Sequence, residues 1–321
     1  RVFDNPGMFS GFENLMALYG YSLQVYADFS GYTDIAIGIA LILGFRLPKN
    51  FNSPYKADNC GEFWKRWHIS LSSWLKDYLY IPMGGNRGGS IFSYVSLSLI
   101  VLFVYLLSGS LALLFGILSV IFLTLLFGEI FPRFNKWYLT NINIMLTMLI
   151  GGLWHGASWN FVLWGGLNGL GIIIYKLWKN VSPWKNKSNW ANKILGIIIT
   201  FNFVTFTRIW FRSGSINSWD QMDESHNILS EWFTANEILN QLFFNFQWSL
   251  IGDVISVYSN VFVVIIIGFL IHFIPERWKF WYREKFSKSS IFIQLIICFS
   301  AIFIMYQIAS TSLQPFIYFQ F

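Results

Sequence analysis

The sequence predicts an all-α, multi-pass transmembrane helical bundle. Of 321 residues, 55% are hydrophobic and only 12% are charged, against about 25% charged in a soluble domain. Apolar runs recur at close to the ~20 residues a bilayer crossing needs. Basic residues sit in the short loops between those runs, as the positive-inside rule describes. An apolar surplus of this size must face lipid rather than water.

The first apolar stretch, Phe12 to Phe45, is interrupted by Asp28, Gly31 and Asp34. It reads as one long tilted helix or as two pieces broken near Ser30-Gly31. After a polar loop, Gly61 to Tyr80 reads as one amphipathic helix lying in the interface. Trp64, Trp67, His68, Leu71, Trp74, Leu75 and Tyr78 share one face of it. A glycine-rich turn, PMGGNRGG, follows. Apolar spans then recur at Ile91–Leu107, Leu111–Phe131, Ile142–Trp154, Asn160–Trp178, Ile194–Phe211, Ile255–Ile274 and Ile291–Ala309. Ile142–Trp154 has only 13 residues, about 20 Å of helix. It is expected to end inside the membrane and return with Asn160–Trp178 as a hairpin.

The loops around Arg46, Arg87, Arg133, Lys179 and Arg277 then share one side, the cytoplasmic one. The loop Ser213–Asp253 has six acids and neither Lys nor Arg, and belongs outside. The formal charge of +6 is thus explained by membrane orientation and calls for no nucleic acid. Cys60 and Cys298 stand in no metal-type spacing. The opening RVFDNPG reads as a loop entered mid-protein, so the chain is expected to be a single membrane-embedded domain (1–321) lacking N-terminal helices.

Four histidines carry the candidate chemistry. His155 lies in IGGLWHGASWNFVLWGG, where glycines permit close helix approach; an ionisable group in apolar sequence is either functional or a helix-to-helix hydrogen bond. His68 lies in FWKRWHISLSSW, on the apolar face, where a polar ring needs a partner or a wet cavity. His226 reads as a solvated loop residue and His272 as a snorkelling one. Asp28 and Asp34 are candidates for a polar tunnel wall if the helix breaks at Gly31, or else for buried ion pairs or caps. The GGNR turn with Arg87 is either an anion cradle for donor phosphates or a tight connector. No nucleophile elbow and no metal-ligand set appears.

Two stretches, YADFSGYTDIAIGIALILGFRLPKNFNSPYKADNCGEFWKRWHISLSSWLKDYLYIPMGGNRGG and GGLWHGASWNFVLWG, resemble the membrane-bound O-acyltransferase family, in particular its alginate O-acetylation branch. The tail PFIYFQF is similar as well. The resemblance implies a bundle around a central tunnel in a bacterial inner membrane. It implies acetyl-CoA as cytoplasmic donor with no bound cofactor, and a periplasmic SGNH-type acetyltransferase or polysaccharide as acceptor. It makes His155 of the WHG motif the catalytic residue and His68 the second histidine of the site. His155 then serves as general base or as an acetyl-imidazole carrier, and His68 orients the acceptor or polarises the thioester. Trp64, Trp67, Trp154 and Asn160 are read as tunnel or donor-binding residues beside Asp28, Asp34 and Arg87. Peptidoglycan, teichoic-acid and lipid acylation are the alternatives within the family. A transporter and a non-catalytic scaffold that recruits the periplasmic enzyme are the alternatives outside it.

Overall fold

The computed structural model describes residues 2–182, 189–215 and 232–308. Every regular element among them is helical. His226, Lys185, Lys187, the acids from Asp220 to Glu231 and the tail PFIYFQF lie outside the described residues.

Helix α1 (Gly11–Ile42) starts at a capping box: the Ser10 hydroxyl accepts from the Glu13 amide and Glu13 accepts from the Ser10 amide, two otherwise orphaned donors satisfied together. It runs unbroken for 32 residues, about 48 Å. Gly31 therefore does not divide it, because a glycine within a long apolar helix lowers propensity without breaking the hydrogen-bond ladder. Asp28 and Asp34 accordingly project from different faces of one rod. The N-terminal half of α1 packs on α8 and α9; beyond Phe29 the helix is largely exposed.

The predicted helix Gly61–Tyr80 is not one helix. It forms α2 (Cys60–Trp64), a turn, α3 (Ile69–Leu75) and one π turn (Lys76–Tyr80). The hydrophobic stripe is shared out accordingly: Phe63 and Trp67 are buried, whereas Trp74 and Tyr78 lie exposed against each other.

Helices α4 (Ile91–Ser108) and α5 (Leu111–Ile130) form a hairpin at Gly109. Next come α6 (Pro132–Leu153) and α7 (Trp159–Val181), the most extensively packed pair in the chain. The expected short span is the apolar half of α6, whose 22 residues reach about 33 Å. The polar first half, RFNKWYLTNIN, hid the rest because its asparagines and threonine face the protein rather than lipid. Helix α8 (Trp190–Gly214) packs along α7. Helix α9 (Phe233–Phe243) caps α1 and α8, burying Ile238 and Ala235 against Leu18 and Ile209. Helices α10 (Ile251–Val257) and α11 (Ser259–Phe273) are the predicted Ile255–Ile274 span, bent by 86° at their junction. Helices α12 (Glu276–Ser287) and α13 (Ile291–Ile308) follow.

Among the described residues four helices, α1, α5, α7 and α8, are each long and apolar enough to cross a bilayer, and the bent α10–α11 pair makes a fifth if it counts as one span. The chain is a multi-pass membrane protein.

The glycine-rich turn is fixed by α6. Buried Asn143 donates to the carbonyls of Met83 and Gly88 at 2.9 Å each and accepts from the Ser93 hydroxyl. Positive φ at Gly84, Gly85 and Gly88 is what turns these carbonyls inward. Asn143→Leu leaves buried acceptors unmatched and is expected to cost about 2–3 kcal/mol. A lowered melting temperature of purified protein checks this; an unchanged one contradicts it.

Candidate active site

The break between α2 and α3 falls on His68. Its φ of 43° and ψ of 58° put it in the left-handed region, which costs a side-chain-bearing residue about 1–2 kcal/mol. The flanking chain holds it there. Asn52 donates its amide to the Arg66 carbonyl and Ile69 donates to the Asn50 carbonyl, both at 2.9 Å. The Asn50 side-chain oxygen accepts from the Ser70 amide and hydroxyl and lies 3.3 Å from His68 Nδ1. The ring packs edge-on against Phe29.

Upstream of His68 the chain follows the seam between α7 and α8. A Cβ on Gly196 would strike the Asp58 carbonyl, and one on Gly171 would strike Cys60 and Phe203. Trp64 meets Trp164 edge-on at 5.6 Å, and Trp67 lies under Arg208 at 4.8 Å. From Gly196 to Arg208 is 12 residues of α8, about 18 Å. This limb enters the bundle at the lysine-bearing end of α7 and α8 and reaches toward their other end. It does not lie flat as the predicted interfacial helix would, because its aromatic face finds a protein seam to fill.

At that other end, His155 follows α6 by one turn, its amide donating to the Gly152 carbonyl. It is buried among Trp154, Trp164 and Phe211, with ring centroids 4.9–5.1 Å away. Trp154 also faces His68 at 6.1 Å, so the two histidines flank one half-exposed indole. Burial pushes the His68 imidazole down to about 4. Burial, then the neighbouring His68, pushes His155 down to about 3. Both rings are thus neutral at physiological pH, the form able to accept a proton.

His155 lines a cavity of about 20 Å³ with Trp67, Trp164, Asn168, Arg208 and Phe211 among its walls, room for about one water. Arg208 was not anticipated from the sequence. Only 4% exposed, it donates from Nη2 to the Tyr55 hydroxyl at 2.9 Å and lies over the Trp67 face. Tyr55 in turn donates its hydroxyl to the Ser22 carbonyl at 2.5 Å. Among the described residues no carboxylate is within ion-pair distance of Arg208, and its buried Nε has no acceptor. A cation in the apolar run TFNFVTFTRIWF was the available signal.

The remaining candidates divide. Trp154 packs against both histidine rings and Trp67 lines the small cavity with His155; Trp64 meets Trp164, which borders His155, and Asn160 is fully buried at the start of α7. Asp34 is exposed on α1 and Asp28 half-buried beside Phe29. Arg87 is exposed on a turn seated at Lys136–Asn143 of α6, 12 or more residues and about 18 Å along the helix from His155. The turn presents carbonyls to Asn143. His272 is not a snorkelling residue. It is 3% exposed, accepts the Tyr55 amide at Nε2 and packs edge-on to Tyr26, because the polar loop after α1 folds back over it. Among the described residues no group of three or more His, Cys, Asp or Glu is placed to hold a metal ion.

Residues 4–144 match the sequence profile of the membrane-bound O-acyltransferase family. The chain is 36% identical over 216 residues to the peptidoglycan O-acetyltransferase of Helicobacter pylori, 67% of this chain and 32% of that protein. It is 35% identical over 213 residues to the probable alginate O-acetylase AlgI of Pseudomonas aeruginosa, 66% of this chain and 31% of that one. This chain belongs to the membrane-bound O-acyltransferase family. A third member, the teichoic acid D-alanyltransferase of Bacillus subtilis, is 29% identical over 195 residues, 60% of this chain and 39% of that protein. The chain spans about a third of the length of the family members it matches.

Proposed function

We propose that this chain carries the acyl-transfer site of an inner-membrane O-acetyltransferase that takes acetyl from acetyl-CoA at the cytoplasmic face. It delivers the group for O-acetylation of an alginate-like exopolysaccharide through a periplasmic SGNH-type acetyltransferase. The observation that supports it is the convergence of His68 and His155 on Trp154 at the end of the α7–α8 seam remote from Lys179 and Lys193. Two neutral imidazoles beside a small cavity with a buried cation suit acyl transfer. They have no evident use in a pore or a scaffold.

His155 acts as general base toward the acceptor hydroxyl. The hydroxyl oxygen attacks the thioester carbonyl carbon, its proton passes to His155, and the carbonyl pair moves onto oxygen. That oxyanion re-forms the carbonyl by expelling the thiolate, which takes the proton back from the imidazolium. Arg208 supplies positive charge on the cavity wall, where a low dielectric makes it most effective. His68, with Asn50 and Ser70 behind it, orients the acceptor.

The test is an acetyl-transfer assay in proteoliposomes with labelled acetyl-CoA outside the cytoplasmic face. Alginate-modifying acceptor protein, peptidoglycan fragments or teichoic acid is supplied on the opposite side. Label on the alginate pathway acceptor is expected. Label on peptidoglycan alone reassigns the acceptor, and no label on any acceptor refutes the proposal.

A further inference from the structure

Arg208 is 4% exposed, and a guanidinium keeps its charge even in a protein interior. Its partners are neutral. Nη2 donates to the Tyr55 hydroxyl at 2.9 Å, and that hydroxyl donates onward to the Ser22 carbonyl, so it is a phenol and not a phenolate. The Trp67 face, 4.8 Å from the guanidinium carbon, offers a quadrupole and no charge. Among the described residues no carboxylate stands within ion-pair distance of Arg208. One turn along α8, the more exposed Arg212 has Asp4 at 3.9 Å and the Ser215 hydroxyl at 3.3 Å. The deeper cation is thus the one without a counter-charge, and an uncompensated buried charge is strongly destabilising.

We infer that the cavity of about 20 Å³ against Arg208 is a halide site, which takes one chloride ion as counter-ion to the buried guanidinium. The site itself is independent of the acyl-transfer reading above. Its kinetic consequence rests on that reading.

Three observations carry it. First, the Arg208 Nε–H is buried and has no acceptor, and an orphaned charged donor costs more than a neutral one. A monatomic anion accepts that hydrogen bond and cancels the charge as well; a water molecule does only the first. Second, the cavity is the right size. Room for about one water also admits a halide of similar radius, whereas organic anions and oxyanions such as methanesulfonate exceed it. Third, the walls do not oppose an anion. None of the lining residues is acidic, and Arg208 alone among them carries a fixed charge. The Asn168 amide is committed to the Trp164 carbonyl and the Thr207 hydroxyl. Aromatic walls at Phe63, Trp164 and Phe211 keep the local dielectric low, which strengthens the attraction between guanidinium and anion.

In acyl transfer the thioester oxygen brings its developing negative charge to the same guanidinium. The halide must leave before that oxygen arrives, so chloride competes with the thioester. Between turnovers it holds the charge of Arg208 in check, and the cation is free to act when the substrate displaces it.

The test uses the full chain in nanodiscs of uncharged phosphatidylcholine, with sodium gluconate exchanged for sodium chloride, bromide or methanesulfonate at constant ionic strength. Chloride and bromide are expected to raise the melting temperature saturably, by about 3 °C or more at about 0.1 M, and methanesulfonate not at all. Bromide-soaked crystals of the wild-type protein should show an anomalous peak beside Arg208 Nε. Arg208→Gln should abolish the halide shift; where that variant does not fold, the bromide peak decides alone. A rise that does not saturate, an equal rise with methanesulfonate, an undiminished rise in Arg208→Gln or a bromide map with no peak at Arg208 overturns the inference. Kinetics separates it from the reading beneath it. Chloride should raise KM for acetyl-CoA about 5-fold or more at unchanged kcat, the factor 1 + [L]/Kd of simple competition. A halide shift and a bromide peak without this inhibition uphold the site and take Arg208 out of the reaction. Absence of both shift and peak removes the site and leaves the acyl-transfer reading standing.

Discussion

His155→Ala is expected to lower acyl transfer by about 10²–10⁴-fold, the range general-base catalysis contributes, with KM for the thioester changed little. The ring lies in a turn after α6 and touches Trp154, Trp164 and Phe211. It sits where a base must be to serve a hydroxyl arriving from one end of the bundle and a thioester arriving from the other. Alanine leaves a void in an aromatic cluster, so His155→Gln is the companion: it keeps the volume and a hydrogen-bonding tip but cannot hold a proton. Both variants should lose turnover equally, while only alanine lowers the melting temperature. A glutamine variant with more than about a tenth of wild-type kcat would mean that His155 does not carry the proton.

Composition and loop charge were enough to read a helical membrane bundle, because lipid imposes its demands on every exposed residue at once. Local breaks were not legible in the same way. The stripe through Trp64, Trp67 and His68 has helical period, and the chain breaks at His68 all the same. What decides is a tertiary partner: Asn50 and Asn52 hold the backbone of Arg66–Ile69 in a hinge, and no periodicity within Gly61–Tyr80 encodes residues 50–52. The short span before His155 misled for a related reason. Hydropathy counts Thr140 and Asn141, just ahead of that span, as polar, yet both are buried within α6.

The site divides along the same line. His68 and His155 were legible as ionisable groups in apolar sequence. Arg208 satisfies the same criterion but sits among residues that read as an ordinary span. Its distinguishing features, a tryptophan face beneath it and no carboxylate within ion-pair distance among the described residues, exist only once α2 has been threaded between α7 and α8. Asp28 and Asp34 stood out for their chemistry, and an unbroken α1 keeps them apart.

Gly165→Ala is expected to be the most damaging single-methyl change in the bundle. At Gly165 an added Cβ would strike the Met148 carbonyl, and at Gly152 it would strike the Phe161 carbonyl, so α6 and α7 meet backbone to backbone. Neither obstruction is a flexible side chain; the helices themselves must separate. Without a hydrophobic drive between helices in lipid, such close packing is a main source of association, and overpacking costs about 1–3 kcal/mol, with a backbone-to-backbone contact at the upper end. The neighbouring Gly166 is an internal control, since its Cβ would meet only the end of the Leu149 side chain at 3.3 Å. Gly166→Ala should therefore purify as a monodisperse species with a melting temperature near wild type, whereas Gly165→Ala should aggregate or melt many degrees lower. The damage reaches the chemistry, because α6 carries His155 just past its C-terminus while α7 carries Trp164 against that ring. Any Gly165→Ala protein recovered in folded form should show reduced kcat along with reduced stability. Equal melting temperatures for the two alanine variants would mean that α6 and α7 do not meet at their glycines, and the aromatic walls around His155 would then lack the support described above.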